Sequence, residues 1–370
     1  MNDLDFERLR TLGLTPALAI RAAAALAGCE RTTRAVQLLR LTEVHRETVQ
    51  LHDGMREHAA RVPLRLTRAL ADDDTALAVG DWVLAAPEAD GSWWLRERVP
   101  PLSHLNRRDA DGRRHPVVSN IDTALLVMGL DDDFNPRRIE RYLALVHAAG
   151  GDSGGVQPVV VLTKADVAAH TPGLLADRII ALQGRVPAAI DLVAVDGTDP
   201  DTARMLAPYL AAGQTLVLLG SSGAGKSTLT NTLLGAAAQD TGPVREHDSR
   251  GKHTTTSRSL HRLPGGACVI DTPGLRALRP DTDEVTLAAT FGDIESLASR
   301  CRFRNCAHHD EPGCAVREGV DGDRLSNYHK LLREARRDTM SALERQQQVA
   351  VWKARGRAGR ERAKAKRDEA

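Results

Sequence analysis

Apolar and polar positions change their rhythm four times along the chain. "TPALAIRAAAALAG" (Thr15–Gly28) opens on a Thr-Pro cap signal, runs apolar at helical spacing and stops at glycine, which predicts a helix in an N-terminal extension over residues 1–40. From about 41 to 115 the texture is alternation: "RAVQLLRLTEVHRETVQLHDG" reaches an Asp-Gly turn, and "VGDWVLAAPEADGSWWLRERVP" gives two more short strands around a glycine. Close-spaced short strands predict a small barrel, and a five-stranded OB-type barrel fits this length. After a polar stretch, "RRDADGRRHPVVSN", read as a linker, the pattern becomes continuous. "IDTALLVMGL", "PVVVLTKAD", "TLVLLG" and "ACVIDTPG" are unbroken apolar runs separated by helical spacing such as "PRRIERYLALVHAAG". Strands buried on both faces and alternating with helices predict a doubly wound parallel α/β domain over 117–280. Beyond 285 the strands stop. Helical spacing covers 285–340, and a charged helix runs into a basic tail over 341–370.

Composition narrows the class. The 370 residues are 42% hydrophobic and 27% charged with net charge +1, as in a globular protein of two or three domains with at least one sizeable core. No run of about 18 apolar residues is present, and the opening "MNDLDFERLR" is too charged for a secretory signal. Of five cysteines, three crowd one short window, which favours a metal site over disulfides; Cys29 and Cys268 read as plain buried thiols.

The first chemistry-bearing motif is Gly220-Ser221-Ser222-Gly223-Ala224-Gly225-Lys226-Ser227, followed by Thr228. It fits G-x-x-x-x-G-K-[ST] between an apolar strand and a helix. Glycines let successive backbone N–H groups turn inward around phosphate oxygens, and the helix presents its positive end to the same anion. Lys226 is placed to reach the β- and γ-phosphates, and the Ser227 hydroxyl to ligate Mg²⁺. A glycine-rich structural turn would not need the flanking strand and helix.

Three further elements accompany it. "VIDTPG" sets Asp271 at a strand tip, where it can support Mg²⁺, and Gly274 can offer its N–H to the γ-phosphate. Thr163-Lys164-Ala165-Asp166 follows the [NT]-K-x-D pattern. The Asp166 carboxylate can accept both N1–H and N2–H₂ of guanine, whereas adenine would leave it unpaired. Thr163 stands where Asn is commoner, so lower affinity is expected. "VAVDG" (Val193–Gly197) is a weaker match to a loop whose backbone meets guanine O6, with Ala194 at the contact. The first switch is placed in "RGKHTTTSR", where Thr254, Thr255 and Thr256 are candidates to cap Mg²⁺ and Thr255 is preferred. Leu275 follows Gly274 where a water-orienting Gln is usual, so His253 is the candidate to orient the attacking water.

The elements run base-reading (163–166), second base loop (193–197), phosphate loop (220–227), first switch (253–256), second switch (271–274). This is the GTPase set with its chain ends relocated, a circular permutation. Whatever follows residue 280 is therefore attached to the nucleotide-sensing strand. There, "CRFRNCAHHDEPGC" brings Cys301, Cys306 and Cys314 near His308 and His309. Three thiolates and one imidazole make a closed, structural Zn²⁺ site, with either histidine eligible by spacing.

The OB-like barrel, the permuted phosphate-loop domain with "GKHTTT", and the cysteine-rich C-terminal segment together resemble the bacterial RsgA (YjeQ) family of ribosome small-subunit-dependent GTPases, over roughly residues 40–340. "VGDWV" and "SNIDTALLV" are similar to that family's barrel and first GTPase strand. The resemblance departs at Thr163, at Val193, before residue 40 and in the long tail. It implies a GTP hydrolase that binds the 30S subunit and its rRNA, assists late maturation and is stimulated by the subunit. It selects His308 as the fourth ligand of one zinc per chain. The expected protein is a cytoplasmic monomer with no membrane partner that uses Mg²⁺ with GTP and releases GDP.

Between Lys353 and Arg367 lie eight Lys or Arg and one Glu, either a solvated segment or an arm making salt-sensitive rRNA contacts. Two rival functions are a nucleotide-switched rRNA-binding module with incidental hydrolysis and an ATP-dependent phosphate-loop enzyme. Asp166 argues against the second.

Overall fold

The computed structural model describes residues 5–28, 36–45, 48–108, 113–150, 155–235, 258–272 and 279–339. Two helices lead: α1 (Phe6–Arg10), capped by the Asp5 carboxylate accepting from the Arg8 N–H, and α2 (Pro16–Gly28). Leu18, Ala22 and Ala25 of α2 recur at helical spacing and pack with Trp82, Leu84 and Val99. The extension is thus fastened to the barrel by an apolar stripe.

The barrel comprises β1 (Gln37–Val44), β2 (Thr48–His52), β3 (Glu57–Arg61), a helix α3 (Leu64–Asp72), β4 (Trp82–Pro87) and β5 (Trp93–Arg98). Strand order is β1-β2-β3-β5-β4, and β4 pairs back onto β1, closing five strands. Burial alternates along β2 and β3, so period-2 spacing aims one face inward. Gly54, at φ +97°, makes the hairpin turn between them.

The polar stretch read as a linker is a hairpin instead: β6 (His104–Arg108) and β7 (Arg114–Ser119) pair antiparallel, and β14 (Arg279–Pro280) joins β6. The arginines hid the signal. Leu105, Val117 and Val118 are buried, while Arg113 and Arg114 are exposed. Asp281 gathers Arg108 and Arg114 at 2.7 Å each.

The α/β sheet contains β8 (Thr123–Gly129), β9 (Gln157–Thr163), β10 (Leu192–Ala194), β11 (Thr215–Gly220), β12 (Ser259–Arg262) and β13 (Cys268–Asp271). Between them run α4 (Pro136–His147), α5 (Ala165–Ala169), α6 (Leu174–Gln183), α7 (Thr202–Met205) and α8 (Lys226–Leu234). Spatial order is β10-β9-β8-β11-β13-β12, parallel except for β12. Along β8, Leu126 and Met128 enter one core while Leu125 and Val127 enter the other, which is why the strand reads as one apolar run. The architecture is a doubly wound, mostly parallel α/β sheet behind a small barrel.

The antiparallel strand β12 escaped the sequence reading. It pairs with β1 at Glu43–Ser259, so barrel and α/β sheet share one continuous eleven-stranded sheet. Arg40 braces the junction. Fully buried, it donates to the Leu12 carbonyl (2.7 Å) and the Asn120 carbonyl (2.9 Å), joining the extension, the barrel and the entry to β8.

The C-terminal unit holds α9 (Glu284–Thr290), α10 (Gly292–Ala298), α11 (Ala315–Gly319) and α12 (Gly322–Thr339). Phe291, Ile294, Val316 and Leu331 form its core together with Ala144 of α4. A buried ionic cluster completes the seam. Arg324 of α12 donates to Glu140 of α4 at 2.7 Å and to Asp293 at 2.6 Å, and Asn327 also donates to Glu140. Among the described residues, no helix is long and apolar enough to cross a membrane.

Candidate functional site

The phosphate loop leaves β11 and enters α8 through Gly223 and Gly225, both near φ +85°. A Cβ on Gly220 would lie 2.5 Å from the Val127 carbonyl oxygen, so only glycine allows this approach of β11 to β8. Lys226 is buried, and its ammonium donates to the loop carbonyls of Gly220 (3.1 Å) and Ser221 (2.8 Å). Burial lowers its pKa, while the carboxylates of Asp271 and Asp133 oppose that shift. The ammonium thus sits in a loop built for an anion. Ser222, Gly223 and Ala224 form the rest of the loop, and Ser227 and Thr228 open α8, half-buried beside it.

Asp271 ends β13, next to β11 in the sheet, and is 1% exposed. The Thr272 hydroxyl donates to the Leu218 carbonyl at 2.6 Å, fastening the exit of β13 to the phosphate-loop strand.

The Thr163–Asp166 motif sits at the end of β9. Thr163 is 1% exposed, and its hydroxyl donates to the Ala224 carbonyl of the phosphate loop at 2.7 Å. This short side chain links the two motifs directly. Lys164 adopts a left-handed backbone (φ +62°), and its ammonium pairs with Asp131. Asp166, in the first turn of α5, is exposed. The Val193–Gly197 segment is held alongside: the Ala165 N–H donates to the Val195 carbonyl at 3.2 Å, next to Ala194, and Thr232 of α8 donates to the Gly197 carbonyl at 2.7 Å. The permuted order therefore converges on one surface at the carboxyl ends of β9, β10, β11 and β13.

His253, Thr254, Thr255, Thr256, Gly274 and Leu275 lie outside the described residues, as do Cys29 and the segment 341–370. Cys268 is buried, as expected of a plain thiol.

Three residues beside the site were not singled out from sequence. Asp131, Asp133 and Arg138 follow β8. Asp131 holds Lys164, while Arg138 donates to Asp133 (2.6 Å) and to the Ser221 hydroxyl (2.7 Å). "LDDDFN" reads as an ordinary polar loop. Its only sequence signal is its place at the carboxyl end of a buried strand.

In the C-terminal unit the ligand atoms of Cys301, Cys306, His308 and Cys314 lie within 4.8 Å of one another. The sulfurs of Cys301 and Cys314 are 3.9 Å apart, and His308 Nδ1 is 3.7 and 3.5 Å from them. A tetrahedron with metal–sulfur bonds of about 2.3 Å has edges of about 3.8 Å, so the donors fit a four-coordinate thiolate-imidazole centre. His308 reaches inward from a left-handed backbone (φ +60°), whereas His309 stacks on His329 with ring centroids 4.2 Å apart. The geometry separates the two histidines that spacing left equivalent.

A family model described as RsgA GTPase matches residues 99–280. The small ribosomal subunit biogenesis GTPase RsgA of Xanthomonas axonopodis pv. citri (strain 306) is 50% identical over 264 residues, covering 70% of this chain and 69% of that protein. Its counterpart from Xanthomonas euvesicatoria pv. vesicatoria (strain 85-10) is 50% identical over 261 residues, covering 69% and 68%. Among solved structures, YjeQ from Thermotoga maritima superposes with a TM-score of 0.56 at 21% identity, covering 81% of this chain and 99% of that one. YloQ, described as a circularly permuted GTPase, gives 0.55 at 21%, covering 84% and 99%. These two structures bear on the fold alone.

Proposed function

This chain belongs to the RsgA GTPase family, and from that premise we propose how its residues carry out GTP hydrolysis in small ribosomal subunit biogenesis. The observation that carries the reading is the hydrogen bond from Thr163 to the Ala224 carbonyl, which seats a guanine-reading loop against a phosphate loop. Asp166 accepts from guanine, the Lys164 stem covers the ring, and the Ala194 backbone meets O6. The backbone N–H groups from Ser221 to Ser227 and the Lys226 ammonium hold the phosphates. Ser227 and Asp271 would hold Mg²⁺, which would supply positive charge to the phosphates when bound. Thr255 is the residue assigned to cap the γ-phosphate, the Gly274 N–H donates to the same group, and His253 orients the water.

The partner is the 30S subunit through its rRNA, and the subunit completes the hydrolytic site, so the free protein turns over slowly. The functional units are the barrel, the α/β domain and the C-terminal helical unit, flanked by the extension over 1–40 and the basic segment 341–370. Cys301, Cys306, His308 and Cys314 bind one structural Zn²⁺ with no open position for catalysis. The protein works as a cytoplasmic monomer.

Nucleotide competition tests the base reading. GTP and GDP should displace a fluorescent guanine nucleotide, ATP should not, and Asp166→Asn should abolish the difference. Equal displacement by ATP and GTP would refute it.

A further inference from the structure

The loop between β8 and α4 touches both ends of the proposed nucleotide site. At the base end, the Asp131 carboxylate pairs with the Lys164 ammonium, and its Oδ1 accepts the Asp133 N–H at 3.2 Å. The Leu130 N–H donates to the Thr163 carbonyl at 2.9 Å. Gly129 leaves room for the pair, since a Cβ there would sit 2.4 Å from Asp131 Oδ1 and 3.5 Å from the Lys164 nitrogen. Lys164 has a left-handed backbone, which costs an L residue energy unless its surroundings hold it. The tie to Asp131 is such a constraint.

At the phosphate end, Asp133 shares a hydrogen bond with the Ser221 hydroxyl, and Arg138 donates to both. The arginine covers a carboxylate that would otherwise face the anion-binding loop. Arg178 secures the middle, donating to the Asp131 carbonyl and lying 4.8 Å over the Phe134 ring.

We propose that Asp131 and Arg138 are positioning residues of the guanine-nucleotide site. Asp131 fixes the Lys164 stem where the base binds. Arg138 seats Ser221 and neutralises Asp133 beside the phosphates. The inference rests on reading Thr163–Asp166 and Gly220–Ser227 as that site.

The two residues predict different signatures. GDP and GTP share the base, so losing Asp131 penalises both alike. They differ in phosphate charge, so an uncovered Asp133 repels GTP more. The test is calorimetric binding of GDP and a non-hydrolysable GTP analogue to the full chain. Asp131→Ala should raise both dissociation constants by one common factor of about threefold to fivefold, the scale of a half-exposed ion pair, with Asp131→Glu restoring part. Arg138→Ala should weaken the GTP analogue more than GDP, and Arg138→Lys should restore the ratio. Wild-type constants in Asp131→Ala, while Asp166→Ala abolishes binding, would overturn the inference alone. So would an equal loss for both nucleotides in Arg138→Ala and Arg138→Lys, the mark of ordinary loop damage. Intact guanine binding in Asp166→Ala would overturn the site reading and this inference with it.

Discussion

A single hydroxyl at Thr163 joins two loops far apart in sequence, and its burial sets the scale of its effect. Thr163→Val keeps the shape but strips the Ala224 carbonyl of its donor. An orphaned buried acceptor costs about 1–3 kcal/mol, so calorimetry should show guanine-nucleotide affinity reduced about tenfold, with Thr163→Ser near wild type. Unchanged affinity in Thr163→Val would show that the bond does not organise the loop. At this scale the sequence carried the spacing of the Gly220–Ser227 and Thr163–Asp166 motifs, and the fold brings the two together. Thr163 was recognisable as a departure from Asn, but its contact with Ala224 was not, since nothing in "TKAD" says which carbonyl lies across the sheet. Asp131, Asp133 and Arg138 were illegible for the same reason: their partners are set by strand order.

Among the elements, α4 faces two ways. Its first turn carries Arg138 toward the phosphate loop, and Glu140 and Arg141 meet α12. Glu140 is fully buried; burial pushes its pKa up, while Asn327 and Arg324 draw it back. Removing Arg324 leaves the buried Glu140 with the Asn327 amide and the more distant Arg185 at 3.5 Å. Arg324→Met should cost about 3–5 kcal/mol in urea unfolding, and Glu140→Gln combined with it should recover part, since the buried charge goes too. A loss under about 0.5 kcal/mol in the single variant, the scale of ordinary surface substitutions, would rule out a structural role for the cluster. The periodicity of α4 was readable, yet its second face was not, because a buried glutamate looks like a surface residue in sequence. The β6–β7 hairpin was misread for a related reason: its arginines outnumber the apolar residues that anchor it.

For the whole molecule, permutation places the zinc-type cluster downstream of β13, while α4 and the shared sheet supply further connections between the units. The three-part architecture was legible from texture alone, but β12, which fuses barrel to α/β sheet through β1, was not. Metal analysis should find one zinc per chain, lost in His308→Ala and kept in His309→Ala, and chelation should lower the melting temperature of the wild type. Retention of zinc by His308→Ala would contradict the ligand set. The central claim is that this GTPase is completed by the small subunit. It is tested most directly by measuring GTP turnover by the purified chain with and without 30S subunits. The account predicts slow turnover alone and at least tenfold acceleration by subunits, well short of the roughly 10³–10⁵ that an arginine finger supplied by a partner contributes; equal rates in the two conditions would contradict it.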